Sequence, residues 1–390
     1  MVDDRGITDW EPLSHMISAG PSLSIRSLSR HHSSPTGVDS FLEEYSAAYT
    51  FYGAGKVALR DGLAGLVEPG ENVLIPAYVP DAVVEPFHEL GLESRYYRVE
   101  SSFAPNFVDV EQRIDANTAA IMSVNYFGFP QPGLEELHRL VDEYDCYHID
   151  DNAHAPLSVD NGTLLGTRGH LGITSLWKLL PVPNGAVLFQ NDAETIENFQ
   201  PSPIAGVRDG LDVSDCQFIV KSVVQNLLDG NETIRDSLDA MFATEDDDTP
   251  AVGGPHERYE EGKRQMSRLT AHILEESTPD TIRTRRRTNY QTWQRLLASR
   301  DDLEFVYDSL PRGICPQAMP VRADEPQQFL TELQRAGAGG AYNWPRLSRS
   351  VLEDPAYEVA TRLSREIVAL PVHQHVDAAA IEDVGTQLRR

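Results

Sequence analysis

Lysine is the residue this 390-residue chain most nearly does without. Four of its thirty-three basic residues are lysines (Lys56, Lys178, Lys221 and Lys263), and sixty acidic residues bring the formal net charge to −27. An acidic surface poor in lysine stays hydrated and dispersed in concentrated salt, where screening relieves its self-repulsion, so the composition points to a halophile's cytoplasm. The same charge argues against nucleic acid or an anionic membrane as partner. Cysteine is scarce too. Cys146, Cys216 and Cys315 show no CxxC or zinc-like spacing, which favours a reducing compartment and no structural metal. No apolar run approaches the roughly 18 residues of a membrane span. The opening "MVDDRGITDWEPL" has no basic segment followed by an apolar one, so no signal peptide is expected and the chain reads as cytosolic. No internal repeat is visible.

What remains is ordinary soluble-protein composition, 41% hydrophobic and 24% charged, in a chain long enough for a substantial core. Residues 1–45 are polar ("SLSRHHSSPTG") and read as an N-terminal arm. Short apolar runs of strand length then alternate with helical patterns: "GAGKVALRDGLAGL", "NVLIPAYV", "DAVVEPFHELG", "SRYYRVE", "AAIMSVNYFG", "LEELHRLVDEYD" and "CYHIDD". "GITSLWK" and "GAVLFQND" add a further strand pair. That alternation predicts an α/β fold with a mostly parallel sheet, placed here in a large domain over 46–255. Residues 211–275 turn helical and acidic, with a flexible interruption at Thr244–Pro255. A smaller C-terminal α/β domain is expected over 256–390, opened by the basic helix "RTRRRTNYQTWQRLLASR".

The chemistry gathers between residues 148 and 189. "CYHIDD" is a strand whose carboxyl end carries Asp151, and in open α/β sheets ligands bind beyond those ends. Lys178 follows 27 residues later, between Trp177 and Leu179. A lysine so flanked is partly desolvated and a better nucleophile toward a carbonyl. An aspartate facing a pyridinium nitrogen and a lysine forming an imine together describe a pyridoxal phosphate site. The phosphate needs a cradle, and "FYGAGKVAL" offers a glycine-rich turn opening a helix. Ser175 lies three residues before Lys178 and brings a hydroxyl.

The order "GAGKVAL", "LIPAYV", "NYFGFP", "HIDDNAHA", "SLWKLLPVPNGAVL" and "LPVHQ" resembles the StrS/DegT-type sugar aminotransferases, of the aspartate-aminotransferase fold (fold type I). The resemblance runs from about residue 45 to the C-terminus and is densest between 120 and 190. It implies that Lys178 carries the cofactor and that Asp151 faces its ring nitrogen. Gly55 and Lys56 fall on the phosphate-binding pair, Tyr78 on the ring-stacking aromatic, and His154 beside the phenolic oxygen. Three positions depart from the family: His154 stands for Gln, Asn125 for His, and Lys56 for a hydroxyl residue. The family's phosphate serine falls on Ile173, so Ser175 or Thr174 takes over. The resemblance further implies glutamate as amino donor, a keto sugar nucleotide as acceptor in surface-glycan or polysaccharide synthesis, and a homodimer with sites at the subunit boundary. Dehydratase relatives carry histidine at the lysine position, so Lys178 speaks against that reaction. A non-catalytic or regulatory protein that keeps the fold is the other alternative.

The remaining candidates have plainer readings. His148, Asp150, Asp151 and His154 could ligate a metal, but strand neighbours 150 and 151 point to opposite faces, so no metal is expected. Asp150 then turns into the fold or solvent. The arginines of "RTRRRTNY" read as a salt-bridged surface helix before a substrate-binding one. Trp344 and Arg346 in "YNWPRL" lie where the family's small domain approaches the substrate. Lys221, Lys263, His373 and His375 read as structural.

Overall fold

The computed structural model describes residues 17–23, 37–46, 48–227 and 254–388. Residues 244–253 of the interruption expected at Thr244–Pro255, and most of the N-terminal arm, lie outside the described residues. Seven strands form the large sheet: β1 (Tyr49–Tyr52), β2 (Asn72–Pro76), β3 (Glu93–Tyr97), β4 (Thr118–Val124), β5 (Tyr147–Asp151), β8 (Leu171–Ser175) and β9 (Ala186–Gln190). A two-stranded hairpin of β6 (Val159–Asp160) and β7 (Thr163–Leu164) lies between β5 and β8. The order across the large sheet is β1-β9-β8-β5-β4-β2-β3. β3, β2, β4, β5 and β8 run parallel, and β9 is antiparallel to both of its neighbours. The expected α/β architecture with a mostly parallel sheet is what the chain adopts. Its inner strands are buried along their whole length, as a parallel sheet covered on both faces requires.

The helices that position the site are α1 (Val38–Tyr45), α2 (Gly55–Leu63), α3 (Leu134–Tyr144), α4 (Val213–Leu227), α5 (Arg268–Glu276), α6 (Pro279–Leu297) and α7 (Glu358–Glu366). α2 buries Val57, Ala58, Leu59 and Leu63 and packs on β8 and β9. The helix expected in "DAVVEPFHELG" is shorter and split: a 3-10 turn, Asp81–Val84, leads into Glu85–Glu89. Pro86 sits near its start, where a missing N–H is tolerated, and Gly91 ends the segment at φ 74°. A second, antiparallel sheet follows in the order β10 (Leu303–Phe305), β11 (Ala318–Ala323), β13 (Ile367–Pro371), β12 (Tyr342–Asn343). Helices α5 and Pro255–Glu261 pack on the first sheet's side, against α1 and the Asp81–Val84 turn. α6 packs on β11 and on the last helix, Ala378–Leu388.

One apolar cluster is shared by both sheets. A second lies beneath the lysine turn and contains Leu157, Leu176, Leu179, Leu180, Val182 and Leu269. Fully burying each of those leucines contributes about 1.5–3 kcal/mol.

Candidate active site

The strand directions bring several segments to one edge of the large sheet. β1 ends there at Tyr52, which pairs with Ala186 at the start of β9. β5 ends there at Asp151, between Val124 of β4 and Ile173 of β8. Lys178 closes the 3-10 turn Leu176–Lys178 that follows β8. Its flanking Leu176, Leu179 and Leu180 sink into the second core while the lysine itself stays half-buried. The apolar neighbours visible in the sequence are therefore anchors that hold the turn.

Asp151 is 7% exposed. Burial pushes its carboxyl up to about 6, against an accepted bond from the Ala153 N–H and the opposing charge of Lys178. The Ala153 N–H donates to its Oδ1 at 2.9 Å. Asp150 turns the other way, as alternation on a strand demands, and goes into the fold. Its Oδ1 accepts from Asn125 Nδ2 at 2.6 Å, and its Oδ2 from the N–H groups of Gly166 (2.8 Å) and Arg168 (3.2 Å). Asn125, the departure from the family's histidine, thus serves to tie Asp150, while its own Oδ1 accepts from the Gln131 N–H at 3.1 Å. His148 pairs with Ser123 Oγ through Nε2 at 2.8 Å and faces away from this group.

His154 is 5% exposed. Its Nδ1 accepts from the Phe127 N–H at 3.1 Å, and its Nε2 lies 3.2 Å from Lys178 Nζ. Burial first, and the Lys178 charge second, hold the imidazolium well below the usual histidine range. The Trp344 ring closes over His154 at a centroid distance of 4.8 Å. Two buried polar atoms in this aromatic wall lack a partner: the Tyr126 hydroxyl and the Trp344 indole N–H.

The α2 N-terminus lies across the same edge. Its N-cap is Ala54, which offers no side-chain cap, and the positive end of the helix favours an anion there. A Cβ on Gly55 would stand 3.1 Å from Ser175 Oγ, tighter than ordinary contact, so glycine eases the approach of the helix end to that hydroxyl. Thr174 is engaged elsewhere, donating to the Asn152 carbonyl at 2.8 Å. Of the two hydroxyls considered for the cradle, Ser175 is the one beside Gly55.

The other expected residues scatter. Lys56 lies in the first turn of α2, half-buried. Tyr78 is fully buried, stacks on Phe103 at 5.2 Å and donates to the Trp344 carbonyl at 2.6 Å. Trp344 stands between it and His154, with its ring 5.3 Å from that of Tyr78. Arg346 is exposed and pairs with Asp81 at 3.4 Å. Lys263 pairs with Glu89 and Glu260, and His373 binds the Ser18 carbonyl.

The basic helix is a correction. Within α6, Arg286 is completely buried and, among the described residues, no carboxylate pairs with it. Its nitrogens donate instead to Gln374 Oε1 and to the carbonyls of Pro316, Gln317 and Leu179, at 2.8–3.1 Å. Desolvation lowers it to about 10. Gln374 Nε2 donates to the same Leu179 carbonyl at 2.9 Å, so the residue after Lys178 is held from two directions. Arg287 likewise bonds carbonyls, those of Leu310, Pro311 and Ile314. The surface reading overlooked that Arg286 lies in line with Ile282, Asn289, Trp293 and Leu297, a helical stripe that marks a buried face.

Residues 53–210 match the model of the DegT/DnrJ/EryC1/StrS aminotransferase family, a span that contains the stretch 120–190 in which the sequence resemblance is densest. A GDP-perosamine synthase from Vibrio cholerae is 28% identical over 133 residues, covering 34% of this chain and 36% of that one. The match thus spans well under half of that relative. A putative sugar aminotransferase from Streptococcus pneumoniae, solved in its PLP form, superposes with a TM-score of 0.67 at 14% identity over 96% of this chain and 99% of that one. An Escherichia coli GDP-4-keto-6-deoxy-D-mannose-3-dehydratase with bound hydrated PLP gives 0.62 at 13% identity, covering 96% and 100%. These similarities establish the fold.

Proposed function

We propose that this chain, built on the DegT/DnrJ/EryC1/StrS aminotransferase fold, is a pyridoxal phosphate-dependent aminotransferase. It moves an amino group from glutamate to a keto sugar nucleotide, for surface-glycan or polysaccharide synthesis. The observation that carries this is the meeting, at one sheet edge, of a half-buried lysine, a buried aspartate and an uncapped helix N-terminus pressed on a serine. The residues fit the cofactor: the Tyr126 hydroxyl and the Trp344 indole N–H are buried without a partner, and Gly55 brings the helix end close to Ser175 Oγ.

When bound, pyridoxal phosphate supplies an electron sink for a carbanion at the amine-bearing carbon. Lys178 would hold the cofactor, and its amine would remove and return the proton at that carbon. Asp151 keeps a ring nitrogen protonated, and cationic company for its carboxylate offsets the burial that otherwise raises it. The first N–H groups of α2, with Ser175 Oγ, take the phosphate, and the Lys56 ammonium adds charge beside it. Trp344 seals the His154 side from water. The GDP-perosamine synthase relative supports a sugar nucleotide as acceptor, and a lysine at position 178 favours amino transfer over dehydration.

Three further readings belong to the proposal. The enzyme works as a homodimer, supported by the outward Leu211, Val213 and Val220, each more than half exposed beside or on α4. It works in a salt-rich cytosol, supported by the charge of −27 and by the absence, among the described residues, of a helix long and apolar enough to cross a membrane. The arm, large and small domains divide at residues 45 and 255. The test is direct. Purified protein incubated with pyridoxal phosphate and borohydride carries the reduced cofactor on Lys178 by peptide mass spectrometry, and glutamate converts the bound cofactor to its pyridoxamine form. Label on another residue, or no conversion by any amino acid, refutes the reading.

A further inference from the structure

We propose that His154 is locked as its Nε2–H tautomer, a donor of fixed direction that presents its proton to Lys178 Nζ. The inference rests on the reading of Lys178 as the bond-forming residue, but its first half stands on the geometry of the 126–128 turn alone.

That turn is built so that it cannot yield. Phe127 is held at φ 55°, in the left-handed region that a bulky side chain avoids. Gly128 follows at φ 95°, with the Cys315 carbonyl 2.7 Å from where a Cβ would stand. The Phe127 carbonyl accepts from the Gln317 N–H at 2.9 Å, and the Gly128 carbonyl from Ser158 Oγ at 2.8 Å. Pinned on both sides, the backbone delivers the Phe127 N–H to His154 Nδ1 at 3.1 Å.

A nitrogen that accepts that bond carries no proton. The alternative tautomer would set Nδ1–H against a backbone N–H, leaving a buried donor unpaired, which depopulates it roughly 5- to 150-fold. The neutral ring proton therefore resides on Nε2, 3.2 Å from Lys178 Nζ. An ammonium there would meet donor with donor, and only the amine's lone pair completes the bond. The Phe127 and Trp344 rings cover His154, and among the described residues its Nε2 has no other hydrogen-bond partner. Asp151, at the end of β5, interacts by charge with Lys178. Burial, which disfavours the doubly protonated ring, acts in the same direction. The histidine that departs from the family's glutamine thus gains a property an amide lacks: its donor end is chosen by the backbone.

The experiment uses the full-length, cofactor-free chain. Nitrogen-15 histidine NMR, with His154 assigned by its loss in His154→Gln, is expected to show an Nε2–H ring unchanged from pH 5.5 to 8.5. In parallel, stopped-flow capture of pyridoxal phosphate at pH 7.5 is expected to slow about 10-fold in His154→Phe, as loss of one hydrogen bond implies. His154→Gln, which restores an N–H at the same reach, is expected to return within about two-fold. An Nδ1–H or protonated ring, or equal capture rates in wild type and His154→Phe, overturns the proposal. Should His154→Phe not fold, the NMR result on the native chain decides. An Nε2–H ring with no capture at Lys178 by the native chain overturns the aminotransferase reading instead and leaves the tautomer standing.

Discussion

Replacing Asp151 by asparagine should stabilise the cofactor-free protein at neutral pH, although it removes the carboxylate proposed to face the cofactor's ring nitrogen. The carboxyl is almost wholly buried and titrates at about 6, against an ordinary 3.8. The sign follows from linkage: a carboxyl raised on folding contributes in full below about 3.8, and that contribution is lost as pH rises through about 6. Above pH 6 the shift of roughly two units amounts to a cost of about 3 kcal/mol, borne by the empty protein. Asparagine keeps the oxygen that accepts from the Ala153 N–H and carries no charge. Unfolding entropy near 2.1 cal/mol/K per residue makes that cost worth about 4 °C for this chain length. The assay is thermal unfolding of Asp151→Asn and wild type in parallel at fixed ionic strength. The midpoint difference should grow in favour of the variant from pH 4 to pH 8 and level off beyond. Added pyridoxal phosphate should then raise wild type and leave the variant behind. A difference that stays flat with pH, or a variant that loses stability at pH 8, would refute the argument that burial dominates at this carboxyl.

Three other perturbations separate the parts of the site. Lys178→Ala should abolish covalent cofactor capture by mass spectrometry, with a melting midpoint within a few degrees of wild type, since the leucines around it carry the packing. Gly55→Ala places a methyl 3.1 Å from Ser175 Oγ and should weaken cofactor affinity about 10-fold or more by equilibrium titration while costing little stability. Arg286→Met removes the guanidinium from four carbonyl-type acceptors, of which the Leu179 carbonyl keeps Gln374 Nε2 as donor. It should cost about 2–4 kcal/mol in denaturant unfolding, and a melting curve superimposable on wild type would show that water replaces the guanidinium.

The strands were legible because their signal is local: a buried parallel strand is an apolar run, and β2, β4, β8 and β9 are short runs of that kind. Lys178 and Asp151 were legible for a related reason, since their flanking residues announce a turn and a strand end. The partners of polar residues were not legible. Asn125 answers Asp150 across 25 residues, Asn184 holds the N–H of Ser267 across 83, and Arg286 reaches Leu179 across 107. No local pattern encodes those pairings. Charge alone misled at α6, because a guanidinium can be satisfied by carbonyl oxygens as completely as by carboxylates. Tyr78 shows the reverse case: its aromatic character was correctly noted, but its neighbours Phe103 and Trp344 come from distant loops.

The double hold on the Leu179 carbonyl sets an order of events during synthesis. The turn that carries Lys178 is translated well before its two donors, Arg286 and Gln374, which follow Leu179 by 107 and 195 residues. At roughly 5–20 residues per second, the ribosome leaves that carbonyl without both donors for about ten to forty seconds. A nascent chain stalled before residue 286 lacks both donors to the carbonyl beside Lys178. The turn that carries Lys178 is therefore fastened by side chains translated well after the turn itself.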